Sequence, residues 1–263
     1  MNVFFLYRGL PKSARWIAVS KIACRFLFLF FFLSLLLLLQ SIYPDRSWGQ
    51  SLKLDEAQGR TIDLVQQGKL QEAIPHAKIA VELGAIEYGD SHPRFATTLN
   101  NLGLIFLNLG RFEEAEPLFL HSIVVGERAS AMGLPSDGGV YSNLAELYRE
   151  VGQYAEAEIH YKQSLKVVEK MFGARHPKFA TALNNLALLY QSQSRYAEAG
   201  QMFVKSLEIL EEESSHDATL LGKVLGNLAI NRNLQGRYSE VRSLLRRAIS
   251  SAEKSMLLGH PVM

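Results

Sequence analysis

From residue 51 onward the apolar positions fall into short helical-period groups broken by polar turns. In residues 177–218, Leu183, Leu186, Ala187 and Tyr190 keep the i, i+3, i+4, i+7 spacing of one helical face. Pro177 suits a first helical turn, where its missing N–H leaves no bond unmade. The pattern stops near Ser194 and resumes at Tyr196, with Ala199, Phe203, Ser206 and Leu207 on one side. So short a link predicts two antiparallel helices lying side by side.

The same design returns at a fixed interval. Gly68-Lys69-Leu70-Gln71-Glu72-Ala73 has counterparts beginning at Gly110, Gly152, Ser194 and Gly236, each 42 residues after the last. Asn-Leu-Gly/Ala keeps that beat at Asn101, Asn143, Asn185 and Asn227. Proline does so at Pro93, Pro135, Pro177 and Pro261, with Thr219 in the remaining slot. Five units result, at about residues 51–92, 93–134, 135–176, 177–218 and 219–260. Glycine at four of the five turn positions supplies the left-handed backbone that ends a helix cheaply. The third unit opens with Pro135-Ser136-Asp137-Gly138-Gly139, which predicts a late helix start with Asp137 as N-cap.

Small residues recur where backbones must come close. They are Gly103, Ala145, Ala187 and Ala229 in the first helices, and Ala73, Ala115, Ala157 and Ala199 in the second. Phe106, Tyr148, Tyr190, Phe119, Tyr161 and Phe203 fill the space between them. One hairpin cannot bury its own apolar face, but a stack of hairpins can. Unit five departs from the pattern, with Arg232 in the aromatic slot and Val241 and Leu245 in its second helix.

These residues resemble tetratricopeptide repeats, and the 42-residue period resembles the kinesin light chain type. The strings that carry the likeness are His176-Pro177, Leu183-Asn184-Asn185-Leu186-Ala187-Leu188-Leu189-Tyr190 and Arg195-Tyr196-Ala197-Glu198-Ala199. The resemblance implies an all-α, right-handed α-solenoid of five stacked helix-turn-helix repeats, whose inner wall is built from the first helices. It further implies a protein or peptide partner. With no phosphate-cradling glycine loop, nucleophile elbow or zinc-ligand spacing in the sequence, the chain reads as a scaffold rather than an enzyme, without a cofactor.

On such a wall, residues at i, i+4, i+7 and i+11 line the groove. The polar groove positions are Asn101 and Asn108 in unit two, Asn143, Glu146 and Glu150 in unit three, Thr181, Asn185 and Ser192 in unit four, and Asn227 in unit five. The basic rows that would clamp an acidic tail are absent from this set. Mid-helix asparagine costs about 0.5–0.7 kcal/mol relative to alanine, so four at one register point to compensating hydrogen bonds. Two arrangements supply them: amides bonding the backbone of an extended ligand, or a ladder joining neighbouring first helices.

The chain ahead of the repeats has another character. Phe26 to Leu39 is an uncharged run of Phe, Leu and one Ser, preceded by five basic residues and no acid. Residues 1–49 therefore read as a signal peptide or a membrane anchor. Ser47-Trp48-Gly49 offers a cleavage site, whereas extension of the run to Tyr43 (residues 26–43) is roughly enough to span a bilayer. In both cases residues 50–263 lie on the extracytoplasmic side.

Charge and chemistry narrow the class further. The 263 residues carry 28 Lys+Arg and 26 Asp+Glu, but six of the bases and one acid lie in the first 49 residues, so the repeats are slightly acidic. That disfavours nucleic acid as a partner. The single cysteine, Cys24, precedes the repeats, which excludes a thiol nucleophile, a Cys-ligated metal or an internal disulfide in them. His92, His176 and His260 share a register but lie 84 residues apart, as loop residues before helix-starting prolines rather than metal ligands. Glu114, Glu156, Glu198 and Glu240 read as first-turn acids. At the other end, Leu244, Leu245, Ala248 and Ile249 have no following unit to cover them, which predicts self-association or fraying of the last helix.

Overall fold

The computed structural model describes residues 48–134, 138–212 and 218–259, nearly all within the compact unit Lys53–Met263. The predicted leader run Phe26–Leu39, the predicted cap Asp137 and His260 lie outside the described residues. These residues form ten helices and no strand: α1 (Trp48–Gln66), α2 (Leu70–Tyr88), α3 (Pro93–Asn108), α4 (Phe112–Ala131), α5 (Gly139–Glu150), α6 (Tyr154–Phe172), α7 (Pro177–Ser192), α8 (Tyr196–Glu212), α9 (Ala218–Leu234) and α10 (Tyr238–Gly259). No described helix is long and apolar enough to cross a membrane.

Odd and even helices pair as the five expected hairpins. The intra-repeat turns carry glycines at positive φ, at Gly68, Gly110, Gly152 and Gly236 (70–79°). Ser194 holds the same left-handed conformation at φ 58°, the lone non-glycine to do so among the described residues. Helix α5 begins at Gly139 and has 12 residues where α3 and α7 have 16, so the late start of the third unit is observed.

Helices α3 and α7 begin on His92 and His176, and each imidazole does more than fill a loop. Its Nδ1 accepts the backbone N–H two residues on, from Arg94 and Lys178 respectively, both at 3.1 Å. Each histidine is thus an N-cap that satisfies one of the unbonded donors at a helix start. Its ring also packs on the aromatic that ends the preceding helix, Tyr88 or Phe172.

Helices α4, α6 and α8 each pack on their own first helix and on the first helix of the next unit, α2 packs on α3 and α10 on α9, and α3, α5, α7 and α9 also touch in succession. The small residues sit at these crossings. Ala73, Ala115, Ala145, Ala157, Ala187 and Ala199 are fully buried. A Cβ on Gly103 would come within 2.7 Å of the Phe119 ring, so the crossing of α3 and α4 has no room for a side chain there. Two large clusters result, one from Leu64 to Tyr141 and Leu147, the other from Ala145 to Leu244.

The last helix divides its apolar residues. Leu244 is buried and Ala248 packs on the core, whereas Leu245 and Ile249 are exposed by 44% and 59%. Phe203, one repeat before Leu245, is fully covered. The expectation that all four lack cover therefore holds for two of them.

Candidate functional site

The row of first-helix asparagines divides into bonded and unbonded members. Asn143 donates its Nδ2 to Oδ1 of Asn100 at 2.8 Å, and Asn227 donates to Asn184 at 2.9 Å. Each bond joins one unit to the next through the first asparagine of an Asn-Asn pair. Unit three has Ser142 in that slot, and Ser142 bonds Ser164 instead. Asn185 consequently has no partner one repeat back; its Oδ1 meets Asn184 Nδ2 at 3.5 Å, and its own Nδ2 has no protein partner among the described residues. Asn101 is exposed and likewise unbonded among them. The row therefore alternates: Asn101 is unbonded and Asn185 keeps a free Nδ2 among the described residues, whereas Asn143 and Asn227 are rungs of a ladder.

The remaining groove positions differ in availability. Asn108 and Ser192 are exposed, although the Ser192 hydroxyl donates to the Leu189 carbonyl. Thr181 donates to the Pro177 carbonyl of its own helix. Glu146 is engaged internally: Arg149 donates to both its oxygens, at 2.6 and 2.9 Å, and the buried Tyr161 hydroxyl donates to it at 2.6 Å. The hydrogen bonds from Arg149 hold its carboxyl below the ordinary range, against a weaker push from burial. Glu150 is exposed and also bonded by Arg149. Two carboxylates around one guanidinium and a buried phenol form a strut from α5 to α6, not an acid–base pair facing open space.

The aromatic slots carry polar tips that reach across joints. Tyr148 donates its hydroxyl to Glu116 at 2.8 Å, and Tyr190 donates to Glu158 at 3.2 Å, each 32 residues back. Burial, then Glu116, pushes Tyr148 up to about 12, so it remains a donor at neutral pH. Burial pushes Glu158 up, but hydrogen bonds from Lys162 and Arg195 outweigh it and keep the group charged. Both tyrosines thus serve the core, as their sequence positions suggested. The motif acids are also more than first-turn residues: Arg111–Glu114, Arg195–Glu198 and Arg237–Glu240 are i,i+3 ion pairs across the turn.

Sequence reasoning did not single out Asn100, Asn184, Arg149, Glu116 or Glu158. The doubled asparagines at 100–101 and 184–185, against Ser142-Asn143, were the available signal for the first two. Among the described residues no group of His, Cys, Asp and Glu is placed to hold a metal ion.

The family model described as tetratricopeptide repeat matches residues 62–123, 138–212 and 178–254. The chain belongs to the tetratricopeptide repeat family. Solved structures share the architecture of this tetratricopeptide repeat protein. A kinesin light chain-like repeat protein of Podosopora anserina is 21% identical, with a TM-score of 0.60 over 77% of this chain and 96% of that one. BtubC from P. vanneervenii is 18% identical, with a TM-score of 0.60 over 82% and 92%. A Rap protein in complex with Competence and Sporulation Factor is 18% identical, with a TM-score of 0.63 over 77% of this chain and 55% of that one. No curated protein matches the sequence. At these identities the likeness is one of fold.

Proposed function

We propose that this tetratricopeptide repeat protein is a non-enzymatic scaffold that holds an extended segment of another protein along its row of first helices. The observation that carries this reading is that Asn101 and the Nδ2 of Asn185 have no partner among the described residues, at the register where Asn143 and Asn227 are tied into the stack. A side-chain amide both donates and accepts, which matches the backbone of an extended peptide without demanding a sequence. Exposed Asn108, and Ile230 and Leu234 at the same rows of α9, extend that face with further polar and apolar contacts.

The leader suits a role outside the cytoplasm. Residues 1–49 serve as signal peptide or as anchor through residues 26–43, and the repeats work on the extracytoplasmic side. A second reading has the chain act as an accessory or regulatory subunit of an envelope enzyme or assembly complex through its convex or C-terminal surface, including contact with a second copy. Exposed Tyr238, Leu245 and Ile249 on α10 favour it.

Capture with the full-length protein as bait separates the two readings. The variant Asn101→Ala/Asn185→Ala, checked for fold by circular dichroism, loses a partner held on the first-helix row. Partners retained by that variant place recognition on the other surfaces and overturn the first reading. Fractionation of cells producing a C-terminally tagged chain tests location; a tag found in the cytoplasm overturns export.

A further inference from the structure

The joint between units four and five departs from the chemistry of the two joints before it. Counting 32 residues back from Tyr148 and Tyr190 gives Glu116 and Glu158; counting back from Arg232, which takes the tyrosine slot, gives Gly200. Arg232 Nη1 lies 2.9 Å from where a Cβ on Gly200 would stand. The arginine side chain is only 13% exposed; its Nη1 donates to Gln235 Oε1 at 3.0 Å, whereas its Nε lies 3.2 Å from Glu240 Oε2 without a hydrogen bond. Arg237 donates to the other oxygen of Glu240 at 2.6 Å. Two guanidiniums here share one carboxylate.

One joint earlier the charges balance. Arg195, in the slot of Arg237, holds two carboxylates, Glu158 at 2.7 Å and Glu198 at 2.5 Å, and Lys162 also pairs with Glu158 at 2.7 Å. The step to unit five puts Gly200 in the slot of Glu158 and Val204 in that of Lys162 and adds a guanidinium at 232, a net gain of one positive charge. What is left over Gly200 is a cavity of about 460 Å³, lined by Gly200, Gln201, Val204, Arg232, Gln235 and Arg237. Beside Gly200 stands the Oδ1 of fully buried Asn231, 3.1 Å from where a Cβ would be, and it accepts from Gln235 Nε2 at 3.2 Å. The site has positive charge in excess, in a half-enclosed space.

We propose that this cavity binds a carboxylate, which sits over Gly200 where the Glu158 side chain fills the preceding joint, held by Arg232 and Arg237. Planar guanidinium forks match carboxylate geometry and, being weakly hydrated, give up little solvation on binding. The basic clamp missing from the first-helix rows thus lies at the edge formed by the hairpin turns. The carboxylate comes from an acidic side chain of a protein partner or from a free small acid.

Arginine side-chain NMR of the full-length protein tests this. Acetate, N-acetylglutamate amide and N-acetylglutamine amide are titrated at constant ionic strength against the Nε–H signals of Arg232 and Arg237. Both carboxylates shift these signals saturably, and the glutamine derivative does not. N-acetylglutamate amide binding at least tenfold more tightly than acetate assigns the site to a partner side chain, and equal affinities assign it to a free acid; either supports a carboxylate site. The double variant Gly200→Glu/Arg232→Tyr rebuilds the preceding joint, and its Arg237 signal no longer responds. If that variant does not fold, Arg232→Gln serves, with affinity reduced at least tenfold. Shifts that never saturate, that chloride or the glutamine derivative reproduces, or that survive in a folded variant overturn the proposal.

Discussion

Asn143 hands its side-chain amide to Asn100, 43 residues back, across the joint between α5 and α3. A net hydrogen bond of this kind is worth about 1 kcal/mol. Asn143→Ala loses that bond but regains about 0.5–0.7 kcal/mol, the cost of a mid-helix asparagine, so it lowers the midpoint of chemical denaturation only slightly. Asn185→Ala regains the same helix propensity without losing an inter-repeat bond, so it is about 1 kcal/mol more stable than Asn143→Ala. An equal loss for both variants would mean that Asn185 is also a structural rung.

Ser142→Asn separates stability from recognition. It places an acceptor one repeat behind Asn185, in the position that Asn100 and Asn184 hold in their units. The rung that forms consumes the free amide of Asn185. The variant is expected to fold and to bind a first-helix partner more weakly, as read by affinity measurements beside circular dichroism. Full affinity in a folded variant contradicts the use of Asn185 in binding.

Ser194 stands at φ 58°, where four sister turns have glycine. A side chain in that conformation costs about 1 kcal/mol. Ser194→Gly is expected to raise the thermal midpoint, and Ser194→Val to lower it through its β-branch. Calorimetry of the two variants decides the sign.

His176 caps α7 through Nδ1, so His176→Ala costs about 1 kcal/mol. His176→Asn restores an acceptor at the cap and recovers most of that loss, though not the contact of the imidazole with Phe172. Failure of asparagine to recover stability would place the effect in the ring contact.

Glu146 makes stability depend on acid. Its folded carboxyl lies below its ordinary value near 4.5, chiefly through Arg149. Its contribution is therefore complete above that ordinary value and disappears as pH falls through the lower folded one. Glu146→Gln lacks this term, so its thermal midpoint falls less than that of wild type between neutral pH and about pH 3. Parallel curves for the two proteins would show that the strut carries no acid-dependent stability.

The fold was legible because it is local and repeated. The spacing of Leu183, Leu186, Ala187 and Tyr190 gave one helix, the turn glycines gave its partner, and the 42-residue beat gave the stack. The late start of α5 was legible from Pro135 to Gly139. What the beat does not report is which residues meet across a joint, because equivalence between units is not contact between them. The asparagine register left groove and ladder open; the outcome turned on Ser142, a neighbour in sequence but a partner slot in space. Glu146 looked like a groove acid until Tyr161, on another helix, was seen to reach it. His92 and His176 were legible as preceding a proline, but not as caps, since an imidazole acceptor depends on a ring rotamer that spacing does not encode.

The matched residues at the joints give each unit an address. Ile74 and Phe106 share one buried cluster, Glu116 meets Tyr148, Glu158 meets Tyr190, and Gly200 makes room for Arg232. A chain in which α5 and α9 were exchanged would set a phenol over empty space and a guanidinium over Glu116. Units of equal length and equal outline are therefore not interchangeable. The order of the array is written into its seams, so shuffled versions of these five units would differ from the parent in cohesion even where every hairpin is preserved.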